Sequence, residues 1–422
     1  MWLWLEPLDV LLFRDSRPFV GGEIHRARSV FPPSPLTFQG AIRSLLLHHA
    51  LAQIGKDFHL FAKHVQGNNQ DKEVEKIVRI FGSANDFGHL HMLGPFLANL
   101  RETPEGPNID DVFFPCPLDL LRKEKEFFTM SPLPDTAPKV FSFDLLWNLS
   151  PLWSKEKEAK DTAGFWLTKK GLKNYLAGVA LASDDFKDSG SLYVREQRAG
   201  IELKDRARTV EIGKLYMAEF VRLVKGHGFL VKVDLVEVNL VEDYFAPLKN
   251  PGVLQLGGEG RACAYKEVEG NPLDELINAV CLGGEEKYFK LYLASPAIFF
   301  NGWYPDFLGK NLEGKVEELE LKLVAAAVGK PLYIGGWDLA HNRPRCLFPA
   351  VPPGSVYFFK ILGGDPKKAR EIFNCTTRLQ KEGKEGRQGE GKGENRWLVE
   401  LAKIGFGLTF VGRWKYWEVE NV

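Results

Sequence analysis

The chain has no excess of charge of either sign. Its 422 residues carry 55 lysines and arginines against 55 aspartates and glutamates. The global basic field that would mark a nucleic-acid partner is therefore missing, and any basic surface has to be local. Cysteine is sparse. Cys116, Cys263, Cys281, Cys346 and Cys375 are scattered, odd in number and never paired as CxxC. That argues against a disulfide framework and against a zinc site, and suits a reducing cytoplasm. No window approaches the roughly 20 uninterrupted apolar residues of a spanning helix. The apolar start, MWLWLEPLDVLLFRD, is broken by Glu6 and Asp9 and has no basic lead-in, so no signal peptide is expected. GxSxG, HExxH and any nucleophilic cysteine context are also missing. His89 and His91 come without a carboxylate pattern for a metal.

What is present is an ordinary globular composition, 45% hydrophobic and 26% charged, at a length that suits two or three domains. The first fifteen residues read as a strand. SPLTFQGAIRSLLLHHALAQI reads as a helix with Ser34 as N-cap and Pro35 at its first position. Ile42, Leu45, Leu46, Ala50 and Ile54 give it a buried face, while Gln39 and Arg43 lie together on another. Gly40 beside them weakens the helix but lets a partner come close. A second amphipathic helix is expected over 73–81, from Val74, Ile77, Val78 and Phe81. Residues 82–160 are proline-punctuated and read as irregular. Segments 191–203 and 209–236 predict a long β-hairpin leading into core strands. After a linker near 266–286, further strands, a short helix DPKKAREIF and a last strand follow. Between them KEGKEGRQGEGKGENR, 381–396, has no apolar residue and predicts a disordered loop. Both halves place a strand early, a helix in the middle and glycines just before a final strand, which predicts two related α+β modules.

The stretch VLQLGGEGRACAY, 253–265, concentrates three glycines beside Arg261. A P-loop or a dinucleotide fingerprint needs a helix after its glycines, and ACAY reads as strand. Backbone N–H groups there can still face a phosphate, and a tight turn is the plain alternative. Between 14 and 43 lie Arg14, Arg17, Arg26, Arg28 and Arg43 against Asp15 and Glu23, a local basic excess made of the better bidentate phosphate donor. Salt bridges on an ordinary surface would use the same residues. The hairpin tip adds Lys204, Arg206 and Arg208. His25, among arginines, has the chemistry of a general base for metal-free RNA cleavage.

LFRDSRPF, FPPSPLTFQGAIRS, GIELKDRARTVEIGKLY, LQLGGEGR, YIGGWD and AVPPGSVYFF occur in this order. Together they resemble the third-subunit family of the Cmr complex, the RNA-targeting type III-B CRISPR effector of antiviral defence. That family lies within the repeat-associated mysterious protein (RAMP) superfamily. The resemblance runs from residue 2 to about 415 and carries nothing onto 55–72, 100–160 or 381–396. It implies an α+β fold of two ferredoxin-like (RRM-type) modules with insertions and a long β-hairpin, at 1–270 and 286–422. It implies a non-catalytic, cytoplasmic subunit that grips the 5′ tag of the guide RNA (crRNA). It also implies docking on the large polymerase-like subunit and on the neighbouring RAMP backbone subunit. Neither cofactor nor metal, membrane or homo-oligomer is expected. The matched motifs nominate Arg14, Arg17, Gln39, Arg43, Lys204, Arg206, Arg208, Gly257, Gly258, Gly260 and Arg261 for RNA binding. The alternative is a RAMP endoribonuclease maturing guide RNA with His25 as base, and a small-nucleotide enzyme built on the 257–261 loop also stays open.

Overall fold

The first strand of the chain serves two cores at once. In β1 (Trp2–Pro7), Leu3 and Leu5 pack with apolar residues of the helices, while Trp2 and Trp4 turn to the opposite face. A strand covered on both faces reads as a continuous apolar run, which is why WLWL does not alternate with polar residues. The computed structural model describes residues 1–15, 26–84, 86–103, 106–134, 149–156, 158–203, 210–236, 243–377 and 400–417. The expected disordered loop at 381–396 lies outside them.

The elements that matter here follow in chain order. After β1 come helices α1 (Pro35–Gln53), α2 (Phe58–Val65) and α3 (Lys72–Phe81), then strands β2 (Leu90–Thr103) and β3 (Gly106–Pro115). Helix α4 (Lys169–Ala177) precedes the hairpin β4 (Tyr193–Leu203) and β5 (Val210–Leu223), and β6 (His227–Leu235) follows. Next are α5 (Ala246–Lys249), β7 (Gly252–Gln255) and β8 (Ala262–Val268). The second part holds β9 (Tyr288–Leu293), β10 (Glu313–Val316), β11 (Leu319–Ala327), β12 (Val356–Gly363), α6 (Lys368–Phe373) and β13 (Thr409–Gly412).

The fold is α+β. The larger sheet contains the run β3-β2-β6-β1-β8-β7, extended beyond β3 by the short strands Phe165–Leu167 and Phe186–Asp188. Its inner four strands, β2-β6-β1-β8, are antiparallel and joined through α1 and α5, the connectivity of a ferredoxin-like unit. The smaller sheet repeats the pattern as β11-β12-β9-β13 with α6 as its second crossover, and β10 pairs on the outside of β11. Its first crossover, residues 294–318, contains no helix.

Helix α1 starts where the sequence predicts. Ser34 Oγ accepts from the Leu36 N–H at 3.3 Å, with Pro35 at the first turn. Its buried Phe38, Ile42, Leu46 and Leu47 meet Leu3, Leu5, Phe229 and Val231 of the larger sheet. Helix α3 packs through Val74, Ile77 and Phe81 into the same core. The other face of the larger sheet, through Trp4, Phe96, Phe114 and Leu230, shares one core with Phe289, Leu291, Phe358 and Phe410 of the smaller sheet. Phe114 and Phe410 meet edge to face at 5.9 Å. The layers are thus helices, larger sheet, smaller sheet.

A charged group is enclosed at this junction. Lys290 of β9 lies 3.7 Å from Asp119, and its ammonium stands 3.4 Å from the Tyr175 ring centre. The Tyr175 hydroxyl donates to Asp119 at 2.8 Å. Burial pushes the lysine down to about 8, against the pull of Asp119, and raises the Asp119 carboxyl against the pull of Lys290.

The segment 82–160 departs from its irregular reading. It supplies β2 and β3, two long strands of the larger sheet. The prolines that broke the pattern are accommodated locally. The pairing of β2 with β6 shifts register between Leu230 and Lys232, which face Phe96 and Leu93, so Gly94 and Pro95 sit in the irregularity. The opening strand is also shorter than expected. It ends at Pro7, and beyond it Leu11 and Arg14 make only single bridges, to Val221 of β5 and to Ser29.

Candidate nucleic-acid interface

The glycine stretch is followed by a strand, β8, as ACAY predicts, so neither P-loop nor dinucleotide geometry is built here. Gly257 has φ +80°, and a Cβ placed there would stand 2.6 Å from the Leu12 carbonyl oxygen. The Gly258 N–H donates to that same oxygen at 2.8 Å. The loop therefore closes tightly on residues 12–13, which only glycine permits at 257. Closure leaves a groove of about 780 Å³ between the loop, the Leu12–Arg14 segment, one face of α1 and residues 337–339. Arg14, Thr37, Ser44, His48, Gln255, Gly257 and Gly258 supply its polar wall. Trp337, 53% exposed, and Leu339 stand at its rim.

A smaller cavity of about 140 Å³ adjoins the groove and shares Gly40, Ser44, Trp337 and Leu339 with it. Gln39, Arg43, Asp338 and Arg345 line this cavity. Arg43 Nη2 donates to the Gly82 and Ser83 carbonyls at 2.7 and 2.9 Å, at the C-terminus of α3, where a cation suits the helix dipole. Burial pushes Arg43 down to about 10 and neighbouring Arg345 adds to this, while Asp86 and Asp338 hold it up. Arg345 donates to the Ala84 carbonyl, and burial lowers it as well. Asp338 accepts from the His341 backbone N–H at 3.2 Å and pairs with its Nδ1 at 2.9 Å.

The structure brings Arg14, Gln39, Arg43, Gly257 and Gly258 around one groove and its side cavity. Arg261 does not line either. Its guanidinium stacks over Phe220 at 4.8 Å and pairs with Glu259 at 3.1 Å and Asp9 at 3.6 Å. Arg198 and Arg222 pair with the same Asp9 and with Glu196, so three arginines share three carboxylates at the base of the hairpin. Gly260 lines neither the groove nor the cavity; a Cβ placed there would meet the Gln255 side chain at 3.7 Å. Arg17, His25, Lys204, Arg206 and Arg208 lie outside the described residues. Among the described residues no three His, Cys, Asp or Glu side chains gather in a way that could hold a metal, and no helix is long and apolar enough to cross a membrane.

The sequence reading missed Trp337, Asp338 and Arg345. YIGGWD stood among the ordered motifs, but it is not an RNP motif, and only the tertiary fold carries it across to α1. The family of CRISPR-associated proteins designated Cas_Cmr3 matches residues 3–414. The chain belongs to this family. Cas_Cmr3 membership covers both sheets, the groove and the side cavity. Among solved structures, the chain is similar to one in a cryo-EM structure of the type III-B Cmr-β complex bound to cognate target RNA and AMPPNP. The identity is 16% and the TM-score 0.43, over 85% of this chain and 86% of that one. A second Cmr-β structure bound to cognate target RNA gives 17% and 0.42, over 85% and 86%. The crystal structure of a Csm3–Csm4 subcomplex of the type III-A interference complex gives 13% and 0.34, over 86% and 93%. These likenesses are too distant to carry residues across. No curated protein sequence matches the chain.

Proposed function

We propose that this CRISPR-associated chain is a non-catalytic subunit of a type III-B RNA-targeting complex, and that it holds the 5′ tag of the guide RNA in the groove between α1 and the glycine loop. One observation supports the reading above others. Arg14, the polar face of α1, the glycine loop and an exposed tryptophan converge on one groove although they are far apart in sequence. Single-stranded RNA is gripped by cations along its backbone and by aromatic faces against its unstacked bases. Arg14 and Trp337 are those two chemistries in one place. The large polymerase-like subunit and the neighbouring backbone subunit would complete the enclosure of the tag.

Fluorescence anisotropy of the full chain with guide RNA at several salt concentrations tests this. Tagged RNA should bind more tightly than RNA with a permuted tag, and the affinity should fall steeply with salt. Equal binding of both RNAs, independent of Trp337→Ala, would refute the assignment.

A further inference from the structure

The side cavity holds polar groups that the protein itself leaves unanswered. Gln39 is only 4% exposed, and its Nε2 has no hydrogen-bond partner. Arg43 Nε is likewise enclosed without one, although Nη2 of the same side chain is occupied. A buried donor left unpaired is costly, and both residues line the cavity, so together they point to a ligand that accepts from both. Gly40 strengthens the point. It sits inside α1, where glycine is unfavourable, yet a Cβ built on it meets nothing within 4 Å. Nothing in the chain requires a glycine there, whereas something arriving from the groove would.

The chemistry of the walls narrows the ligand. Asp338 is buried on the cavity and keeps acceptor capacity beyond its contacts with His341. Asp86 lies close enough to Arg43 to act on its charge. Leu36, Leu47, Phe61 and Phe87 add apolar walls beside Ser44, Ser83 and Arg345, whose guanidinium is engaged by the Ala84 carbonyl. A phosphate dianion would face the Asp338 carboxylate and lose its water to the apolar part of the walls. A flat neutral heterocycle with an acceptor edge and a donor edge fits better. Among the bases, guanine joins the O6/N7 acceptor pair favoured by arginine to an N1–H/N2–H₂ donor edge.

We propose that this cavity takes one unstacked guanine of the bound RNA, with Gln39 and Arg43 donating to its acceptor edge, Asp338 accepting from its donor edge, and Trp337 closing the mouth. This rests on the groove being the RNA path.

The test uses the full chain and a short oligouridine carrying a single guanosine, adenosine, inosine or 7-deazaguanosine. Guanosine should raise affinity about tenfold over oligouridine and adenosine, the size of one well-made buried hydrogen-bond set. 7-Deazaguanosine and inosine should each lose most of that gain. Gln39→Met and Asp338→Asn, checked for unchanged melting, should abolish the guanosine preference, and GMP should compete for the guanosine RNA. RNA binding with no base preference, or a preference that survives both variants, would overturn the guanine assignment and leave the groove reading intact. Failure of the folded wild-type chain to bind any of these RNAs would count against the groove itself. Tight GMP binding with no competition against RNA would assign the cavity to a free nucleotide and also overturn the proposal.

Discussion

Gly258 donates its backbone N–H to the Leu12 carbonyl at 2.8 Å, and this contact ties together two segments that line the groove. The neighbouring Gly257, at φ +80°, has no room for a Cβ against the same oxygen. Gly257→Ala should therefore destabilise the protein by about 1–3 kcal/mol through backbone strain and displacement of residues 12–13. Chemical denaturation measures this. RNA affinity should fall with it, since the loop cannot close without moving Leu12.

Gly40→Ala is expected to act in the opposite sense on stability. Removing a helix-interior glycine with open space around it should stabilise the free chain by about 0.5–1 kcal/mol. The added methyl would project toward the walls shared by groove and cavity. A higher melting temperature together with weaker RNA binding is the expected pair of results. A gain in both would show that Gly40 has no part in binding.

Arg14 and Arg261 should separate on a salt titration. Arg14 lines the groove, so Arg14→Ala should reduce the slope of log affinity against log salt by about 0.7, one phosphate on a single strand. Arg261 is engaged by Asp9, Glu259 and Phe220. Arg261→Ala should loosen the base of the hairpin, seen as faster hydrogen exchange in β4 and β5, and change the slope little.

The Lys290–Asp119–Tyr175 group makes a pH-dependent contribution at the junction of the two sheets. Lys290 is pushed from 10.5 down to about 8 by burial. Between those values the unfolded chain binds more protons than the folded one, so stability from this group rises with pH and is lost as pH falls through about 8. Burial raises Asp119, which works oppositely: its contribution is present at acid pH and fades as pH climbs through the raised value. Relative to Lys290→Met, the wild type should gain stability from pH 8 to 10.5. At neutral pH, Lys290→Met should cost about 3–5 kcal/mol by leaving a buried carboxylate without its cation. Adding Asp119→Asn should recover part of it.

Local signals in the sequence were read correctly. Ser34 and Pro35 mark the start of α1, the apolar stripe of Val74, Ile77 and Phe81 marks α3, and ACAY after the glycines marks a strand. The hairpin of β2 and β3 was missed because Gly94, Pro95 and Pro107 break the strand pattern, at least the first two of them inside a register shift that a sequence does not display. The groove was half legible. Arg14, Gln39, Arg43, Gly257 and Gly258 were nominated from motifs. Trp337, Asp338 and Arg345 were not, because they reach α1 only through the packing of the second half against the first. The ion cluster of Arg261 with Asp9 was hidden for the same reason, the two being brought together by the pairing of β1 with β8.

The most direct test of the account is photo-crosslinking of the full chain to guide RNA carrying 4-thiouridine at each tag position in turn, with the linked peptides identified by mass spectrometry. The account predicts links to residues 12–14, to the 37–48 face of α1, to 253–258 and to 337–339. Links confined to the smaller sheet, or links that do not depend on the tag, would contradict it.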